Sequence, residues 1–310
     1  MLTIEGFGAV HQRASIAAFS LATVLSVAPA ACRADVLYVS ASVNSVEEFD
    51  TATGTDLGSI PAVNPSLDNP SGLAFDSTGD LYVANLGDGH IDRFTPGGTG
   101  TVFATVSTPE GLAFDSAGNL FVSSENPANS SDSTIVKLTS NGTASVFASG
   151  LDFPNGLAFD SAGNLYVANT DNSTIMKFAP NGTGSLFART PYPDGLAFDS
   201  AGNLYASNIE GGISKFSPTG TGLGTFGTVS GVGEGLAFDS AGNLYVASGQ
   251  TITRFTPSGA GSVLATGGTL AEPQFIAIQP GLVVPEPATW EMAVLGLLAL
   301  LVLVRPKAKA

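Results

Sequence analysis

The chain has 310 residues, 44% hydrophobic and only 12% charged, with 38 glycines, one cysteine and a formal net charge of -15. Between Asp35 and Val283 there are six basic and twenty-three acidic residues, 6 − 23 = −17; such a domain repels phosphate backbones, which argues against nucleic-acid binding. Cys32 has no partner within the chain, so the fold must be held by packing rather than a disulfide.

Residues 1–34 read as a secretory signal. Arg13 precedes an apolar stretch from Ala14 to Val27, and small residues follow at Ala28, Ala30 and Ala34, where cleavage after Ala30 or Ala34 is expected. Residues 36–50 then carry two short apolar strands with no strand before them.

From Gly72 the chain repeats itself. The stretch Gly-Leu-Ala-Phe-Asp-Ser-x-Gly-Asn-Leu-Tyr-Val-Ala-Asn, most regular at Gly156–Asn169, recurs at Gly72, Gly111, Gly195 and Gly235. Each copy gives an apolar run, an Asp-Ser-x-Gly turn, a second apolar run, a polar loop and two further strands. Asp accepts from the backbone two residues on, and Gly tolerates positive φ, so the turn is tight. Four short strands joined by such turns form an antiparallel meander. A period near 40 residues with four strands per unit predicts a β-propeller.

The third and fourth strands of a copy are expected at sites such as Ile175–Phe178 and Gly184–Phe187. The copy beginning at Gly111 carries an insertion at 123–133, in the loop between second and third strands. Asn129, Asn141, Asn172 and Asn181 open Asn-x-Ser/Thr sequences in turns and loops, where Asn is favoured on structural grounds.

Pro273–Ile278 is a degenerate sixth first strand, and the chain supplies no second strand after it. It is therefore expected to pair with the strands of residues 36–50. That gives an all-β, six-bladed propeller over residues 35–283, closed by pairing of its N- and C-terminal strands, which removes the exposed sheet edges.

At Val284 the composition changes. Pro285, Glu286 and Pro287 lead into an apolar span, Ala288 to Val304, then Arg305, Lys307 and Lys309. As a helix the span is roughly 25 Å long, slightly short for a bilayer core. Trp290 marks one interface and the basic end the cytoplasmic side. Residues 284–310 thus predict a C-terminal transmembrane helix. This three-part tail resembles the PEP-CTERM sorting signal of Gram-negative bacteria. The resemblance implies export, a transient inner-membrane anchor through residues 288–304, processing by an exosortase, and delivery to the cell surface or outside the cell. Glu291 departs from the usual apolar run.

The repeat itself resembles the NHL repeat, over roughly residues 36–280, and that resemblance implies ring-shaped propellers of four-stranded blades. One fold of this kind hosts many tasks.

The informative position is the residue before each repeat glycine: Ser71, Glu110, Asn155, Asp194, Glu234 and Gln274. It is always polar, and in a propeller it enters the innermost strand, so all six are expected to ring the mouth of the central channel. Three carboxylates and three neutral oxygens suit a hard cation, calcium or another divalent ion. A hydrated polar mouth with no ion is the competing expectation. Asp88, Glu125, Asp132, Asp171 and Glu210 are expected in loops on the same face.

Pro154-Asn155-Gly156 and Pro193-Asp194-Gly195 also resemble two metal-ligand motifs of the gluconolactonase and senescence-marker-protein family. That resemblance implies Asn155 and Asp194 as metal ligands. Glu110, Glu234 and Gln274 join them as candidate metal ligands from the ring of polar positions. Gln274 stands where the family has a glutamate. Asp194 or Glu234 is the candidate general base.

Other chemistry has no complete set. His90 is the one histidine of the exported part and reads as a surface or packing residue, and no Ser/His/Asp or Cys/His arrangement can be assembled. Asp76, Asp115, Asp160, Asp199 and Asp239 begin hairpin turns and read as structural. The leading expectation is a binding or scaffold propeller at the cell envelope or extracellular matrix, with an extracellular polysaccharide or surface protein as partner. The alternative is a divalent-metal-dependent, lactonase-like hydrolase or lyase acting at the channel mouth.

Overall fold

The computed structural model describes residues 35–42, 44–60, 65–267, 270 and 272–279. The predicted leader, the sorting motif Pro285–Pro287 and the predicted membrane span lie outside the described residues. Among the described residues no helix is long and apolar enough to cross a membrane.

Six four-stranded antiparallel sheets form the blades. Blade 1 comprises Pro70–Phe75, Leu81–Asn85, His90–Phe94 and Gly100–Thr105, and blade 2 comprises Pro109–Phe114, Leu120–Ser124, Ser133–Leu138 and Ala144–Leu151. Blade 3 is Pro154–Phe159, Leu165–Asn169, Thr174–Phe178 and Gly184–Arg189. Blade 4 is Pro193–Phe198, Leu204–Asn208, Gly212–Phe216 and Gly222–Thr228, and blade 5 is Gly233–Phe238, Leu244–Ser248, Thr251–Phe255 and Gly261–Thr266. Blade 6 takes Pro273–Gln279 from one end of the domain and Val36–Ala41, Ser45–Asp50 and Asp56–Ser59 from the other. Its inner ladder runs Val36 opposite Gln279, Leu37 opposite Ile278 and Tyr38 opposite Ala277. The predicted closure is thus the observed one.

The second strand of each complete repeat, such as Leu165–Asn169, is buried at every residue. It carries apolar side chains on both pleat faces because a neighbouring blade covers each face. Accordingly the core is a ring of interfaces. One cluster joins Leu73, Leu81 and Phe94 of blade 1 to Val46 and Ala277 of blade 6. Another joins Tyr245 and Ile252 of blade 5 to Leu37, Val39 and Phe49 of blade 6.

Aromatic residues lock these interfaces. Tyr166 of blade 3 meets Phe187 of its own blade edge-on at 4.8 Å and Phe198 of blade 4 at 4.9 Å. Tyr82 and Tyr205 repeat the arrangement with Phe103 and Phe114, and with Phe226 and Phe238. Edge-to-face pairs of this kind add about 1 kcal/mol each beyond the area they bury.

The hairpin aspartates are structural, as expected. Asp160 Oδ1 accepts from the N–H groups of Ala162 (3.0 Å) and Asn164 (2.9 Å), and its Oδ2 accepts from Asn164 Nδ2 (2.8 Å). Burial pushes its carboxyl up, but the Asn164 and Ala162 hydrogen bonds and Lys177 outweigh it and hold the carboxyl below its ordinary range. Lys177 Nζ, 3.5 Å from that carboxylate, sits 5.1 Å above the Tyr166 ring. Blades 2 and 4 repeat this with Asp115, Lys137 and Phe121, and with Asp199, Lys215 and Tyr205. Asn141 and Asn181 serve their turns, accepting from the N–H groups of Thr143 and Thr183.

Candidate functional site

The six polar positions sit on six β-bulges. In blade 3, Pro154 pairs with Asn169 and Leu157 with Val167, so Asn155 and Gly156 together oppose the single residue Ala168. The same shift occurs at Ser71, Glu110, Asp194 and Glu234, and at Gln274 in blade 6. A bulge bends its strand and re-aims the extra side chain, which is how a strand otherwise buried on both faces presents a polar group at the hub.

The glycine after each polar residue is forced by the approach of neighbouring blades. A Cβ on Gly195 would meet the carbonyl oxygen of Glu234 at 2.5 Å, and one on Gly235 would meet that of Gln274 at 2.7 Å. Gly72, Gly111 and Gly156 press in the same way on the carbonyls of Glu110, Asn155 and Asp194. The six polar residues are therefore consecutive neighbours around the axis. In blade 6 Phe275 replaces the glycine, and its N–H donates to Ser40 Oγ (2.9 Å). Ser123 and Ser207 do the same work in blades 2 and 4, accepting from the N–H of Gly111 (2.7 Å) and Gly195 (2.8 Å). Their hydroxyls donate across to the carbonyls of Asn155 and Glu234 in the next blade.

The segments entering the mouth are strained. Asn69, Thr108, Phe153, Tyr192 and Glu272, each directly before a proline, have φ between 38° and 51°, a region that non-glycine residues rarely adopt. Four are pinned by their carbonyls, which accept from the N–H groups of Leu86 (3.0 Å), Glu125 (3.2 Å), Thr170 (3.1 Å) and Ile209 (3.2 Å). Such strain persists only where the surroundings over-determine it, and it clusters at working sites.

The mouth is acidic and short of partners. Asp194 is buried, at 7% exposure. Burial, then repulsion from Glu234 and Glu110, pushes its carboxyl well above the ordinary range. Burial also raises Glu234 to about 7, with Glu272 and Glu110 adding repulsion. Burial raises Glu110 to about 7 as well, against the hydrogen bond that Ser71 Oγ donates to its Oε2 (2.8 Å), while Glu125 adds repulsion. Asn155 is 9% exposed, and its buried Oδ1 has no hydrogen-bond partner.

The basic residues lie elsewhere. Arg93, Lys137, Lys177, Lys215 and Arg254 all pair with the aromatic one step from the hairpin-turn end of their blades. Of the six basic residues in the domain, only Arg189, at the end of an outermost strand, lies toward the mouth.

Among the described residues no group of three or more His, Cys, Asp or Glu side chains is spaced to hold a metal ion. A cation at the mouth would therefore take neutral oxygens, Asn155 Oδ1 first, beside single carboxylates. Of the loop residues expected on this face, Asp88 accepts from the His90 N–H (2.9 Å) and lies 3.0 Å from its Nδ1. Glu125 bears on Glu110. Asp132 closes an exposed 3-10 turn, Ser130–Asp132, inside the insertion.

Three further features are not legible in the sequence. Glu272 enters the mouth through its repulsion of Glu234. Tyr192, Ile209 and Val232 leave apolar side chains exposed on the mouth loops. Asp92 is wholly buried on the third strand of blade 1, where it accepts from Asn85 Nδ2 (2.7 Å).

Residues 110–228 match the sequence model of the SMP-30/gluconolactonase/LRE-like region. This stretch contains Glu110, Asn155 and Asp194 but not Glu234 or Gln274. A sequence search among curated proteins returns no match. Among solved structures, a chain of a nidogen/laminin complex is similar over 79% of this chain and 98% of its own, at 20% identity and a TM-score of 0.68. A gluconolactonase from Xanthomonas campestris is similar over 68% and 83%, at 20% identity and a TM-score of 0.58. The virginiamycin B lyase from Staphylococcus aureus is similar over 66% and 73%, at 18% identity and a TM-score of 0.53. At these identities the likeness is one of fold, and it joins a lyase, a gluconolactonase and a chain of a nidogen/laminin complex on one scaffold.

Proposed function

We propose that the chain is an exported propeller acting as a binding or scaffold module at the cell envelope or in the extracellular matrix, engaging its ligand at the channel mouth. One observation carries the site: three mutually repelling carboxylates and the unpartnered Oδ1 of Asn155 sit together, while the basic side chains, Arg189 apart, crowd the opposite end. A site of that composition favours a cationic partner. An extracellular polysaccharide that presents cations or amino groups, or a surface protein with a basic loop, has the matching chemistry. The export half of the reading rests on residues 1–34 and 284–310, with an exosortase as processing partner. Replacing Pro285–Pro287 by alanines should abolish surface delivery; unchanged delivery would overturn that half.

The alternative, a divalent-metal-dependent hydrolase or lyase, is favoured by one observation. The region matching the gluconolactonase-like model contains Asn155 and Asp194. A divalent ion there would polarise a carbonyl or lower the pKa of water, with Asn155 and Asp194 as its holders and Glu234 as the nearby base. Calcium should then raise the melting temperature, and Asp194→Ala combined with Glu110→Ala should remove the shift. A lactone and ester panel, with and without chelator, separates binding from turnover. No calcium shift and no turnover would overturn the enzyme reading.

A further inference from the structure

Among the described residues nine large hydrophobic side chains are exposed, and their placement is uneven. Leu57, Val102, Val146, Leu186, Leu223 and Val263 each lie on the outermost strand of a different blade. They form a regular girdle that follows from the repeat. The other three, Tyr192 at 43%, Ile209 at 37% and Val232 at 42%, break the pattern. All three sit in mouth loops of one sector.

Backbone contacts bring those loops together. The Ile209 N–H donates to the Tyr192 carbonyl (3.2 Å), and the Val229 N–H donates to the Gly211 carbonyl (2.8 Å). Gly211 packs so tightly that a Cβ there would meet the carbonyls of Val229 (2.7 Å) and Gly231 (2.8 Å). Tyr192 is two residues before Asp194, and Val232 is two residues before Glu234. The apolar patch therefore borders the acidic half of the mouth.

We propose that the mouth takes a primary amine with an apolar body, its ammonium against Asp194, Glu234 and the free Oδ1 of Asn155, and its body over Tyr192, Ile209 and Val232. The inference rests on the reading of the mouth as the binding site and names the ligand class for it. An alkylammonium has three N–H donors and no acceptor, which suits acceptors standing apart rather than gathered into one coordination sphere. The apolar patch gives the body of such a ligand a surface to cover, and it explains why, among the described residues, this sector alone exposes Tyr, Ile and Val beside carboxylates.

Calorimetric titration of the full chain at about pH 8, above the value of about 7 to which Glu110 and Glu234 are raised, tests the proposal with three probes. 2-Phenylethylamine has head and body, ethylamine only the head, and 2-phenylethanol only the body. The first should bind about tenfold tighter than either of the others. Asp194→Asn with Glu234→Gln should bring it down to the level of 2-phenylethanol. Ile209→Ser with Val232→Ser should weaken 2-phenylethylamine several-fold and leave ethylamine unchanged. Equal binding of the amine and the alcohol, or indifference to the Ile209 and Val232 changes, overturns the ligand class. If no probe binds but calcium still gives an Asp194-dependent thermal shift, the ligand class falls and the mouth remains the binding site. If neither amine nor calcium engages, both fall.

Discussion

Gly195 lies against the backbone carbonyl of Glu234 in the next blade, so closely that a Cβ on it would stand 2.5 Å from that oxygen. The oxygen is backbone, and Ser207 of blade 4 already donates to it, so it cannot withdraw cheaply. Gly195→Ala should destabilise the domain by about 3 kcal/mol, in the range of overpacking changes that move backbone. Gly202 is the control. It has φ 80°, and a Cβ there would meet only Pro218 Cγ at 3.6 Å, so Gly202→Ala should cost only about 1 kcal/mol through its backbone conformation. Urea denaturation measures both; equal losses would show that the blades do not press together at the hub.

This contact is not legible in the sequence. The repeat was legible because each copy writes its turns in Asp, Gly and Asn and its strands in apolar runs. The shared blade was legible because Val36–Asp50 lacks a first strand and Pro273–Gln279 lacks a second. Glu110, Asn155 and Asp194 stood out because one variable polar position sat among fixed neighbours. The bulges were not legible, since a bulge is a mismatch of register between two strands and neither strand shows it alone. The glycine beside each polar residue reads as a turn former until the next blade's carbonyl is seen. Likewise Tyr192, Ile209 and Val232 are separated by tens of residues, and only the ring makes them one patch.

Asp194 should be worth more to binding than to stability. Its carboxyl is pushed well above its ordinary range by burial and by repulsion from Glu234 and Glu110. In the unfolded chain it ionises near 3.8, so between that value and its raised folded value the folded state binds more protons. Stability contributed by this group is therefore full at low pH and lost as pH rises. Asp194→Asn should match the parent near pH 4 and exceed it by about 1–3 kcal/mol near pH 8. Thermal unfolding across that range checks the sign, and a variant less stable at every pH would refute it.

Glu110 and Glu234 set the pH response of the mouth. Both titrate near 7, so cation binding should strengthen as pH rises through 7 and level off about one unit above it. Ser71 gives Glu110 its hydrogen bond (2.8 Å). Ser71→Ala should raise the Glu110 midpoint by about half to one unit and leave Glu234 unmoved. Carbon-detected NMR of the glutamate carboxyls resolves the two midpoints; a downward shift at Glu110 would reverse the assignment.

The turn aspartates should dominate acid unfolding. Asp160 accepts from two N–H groups and from Asn164 Nδ2, and its carboxyl is lowered. Its stabilisation is present above the unfolded value near 3.8 and disappears as pH falls through the lower folded value. Asp160→Ala should cost about 2 kcal/mol at neutral pH and flatten the acid limb. Lys177→Met should cost only about 1 kcal/mol in all, because the 3.5 Å ion pair is partly exposed and worth a fraction of that, as is the contact with the Tyr166 ring. Comparable losses for the two variants would show that the pairs, not the turns, hold the hairpins.

Closure of the ring is the last relationship to test. Blade 6 is joined to itself through the ladder between Val36–Ala41 and Pro273–Gln279, together with the core in which Leu37, Val39 and Ile276 meet Tyr245 of blade 5. A chain ending at residue 283 keeps all of this and should melt as the full chain does. A chain ending at residue 272 removes the innermost strand and leaves an unpaired edge at Val36–Ala41, a template for association. It should lose its single cooperative transition, and the amides of Val36–Ala41 should exchange with solvent as fast as an unfolded segment. Ile276→Ala tests the same seam without truncation and should cost about 2–4 kcal/mol. A chain ending at residue 272 that still melted cooperatively at the original temperature would show that the five internal blades hold the ring without it.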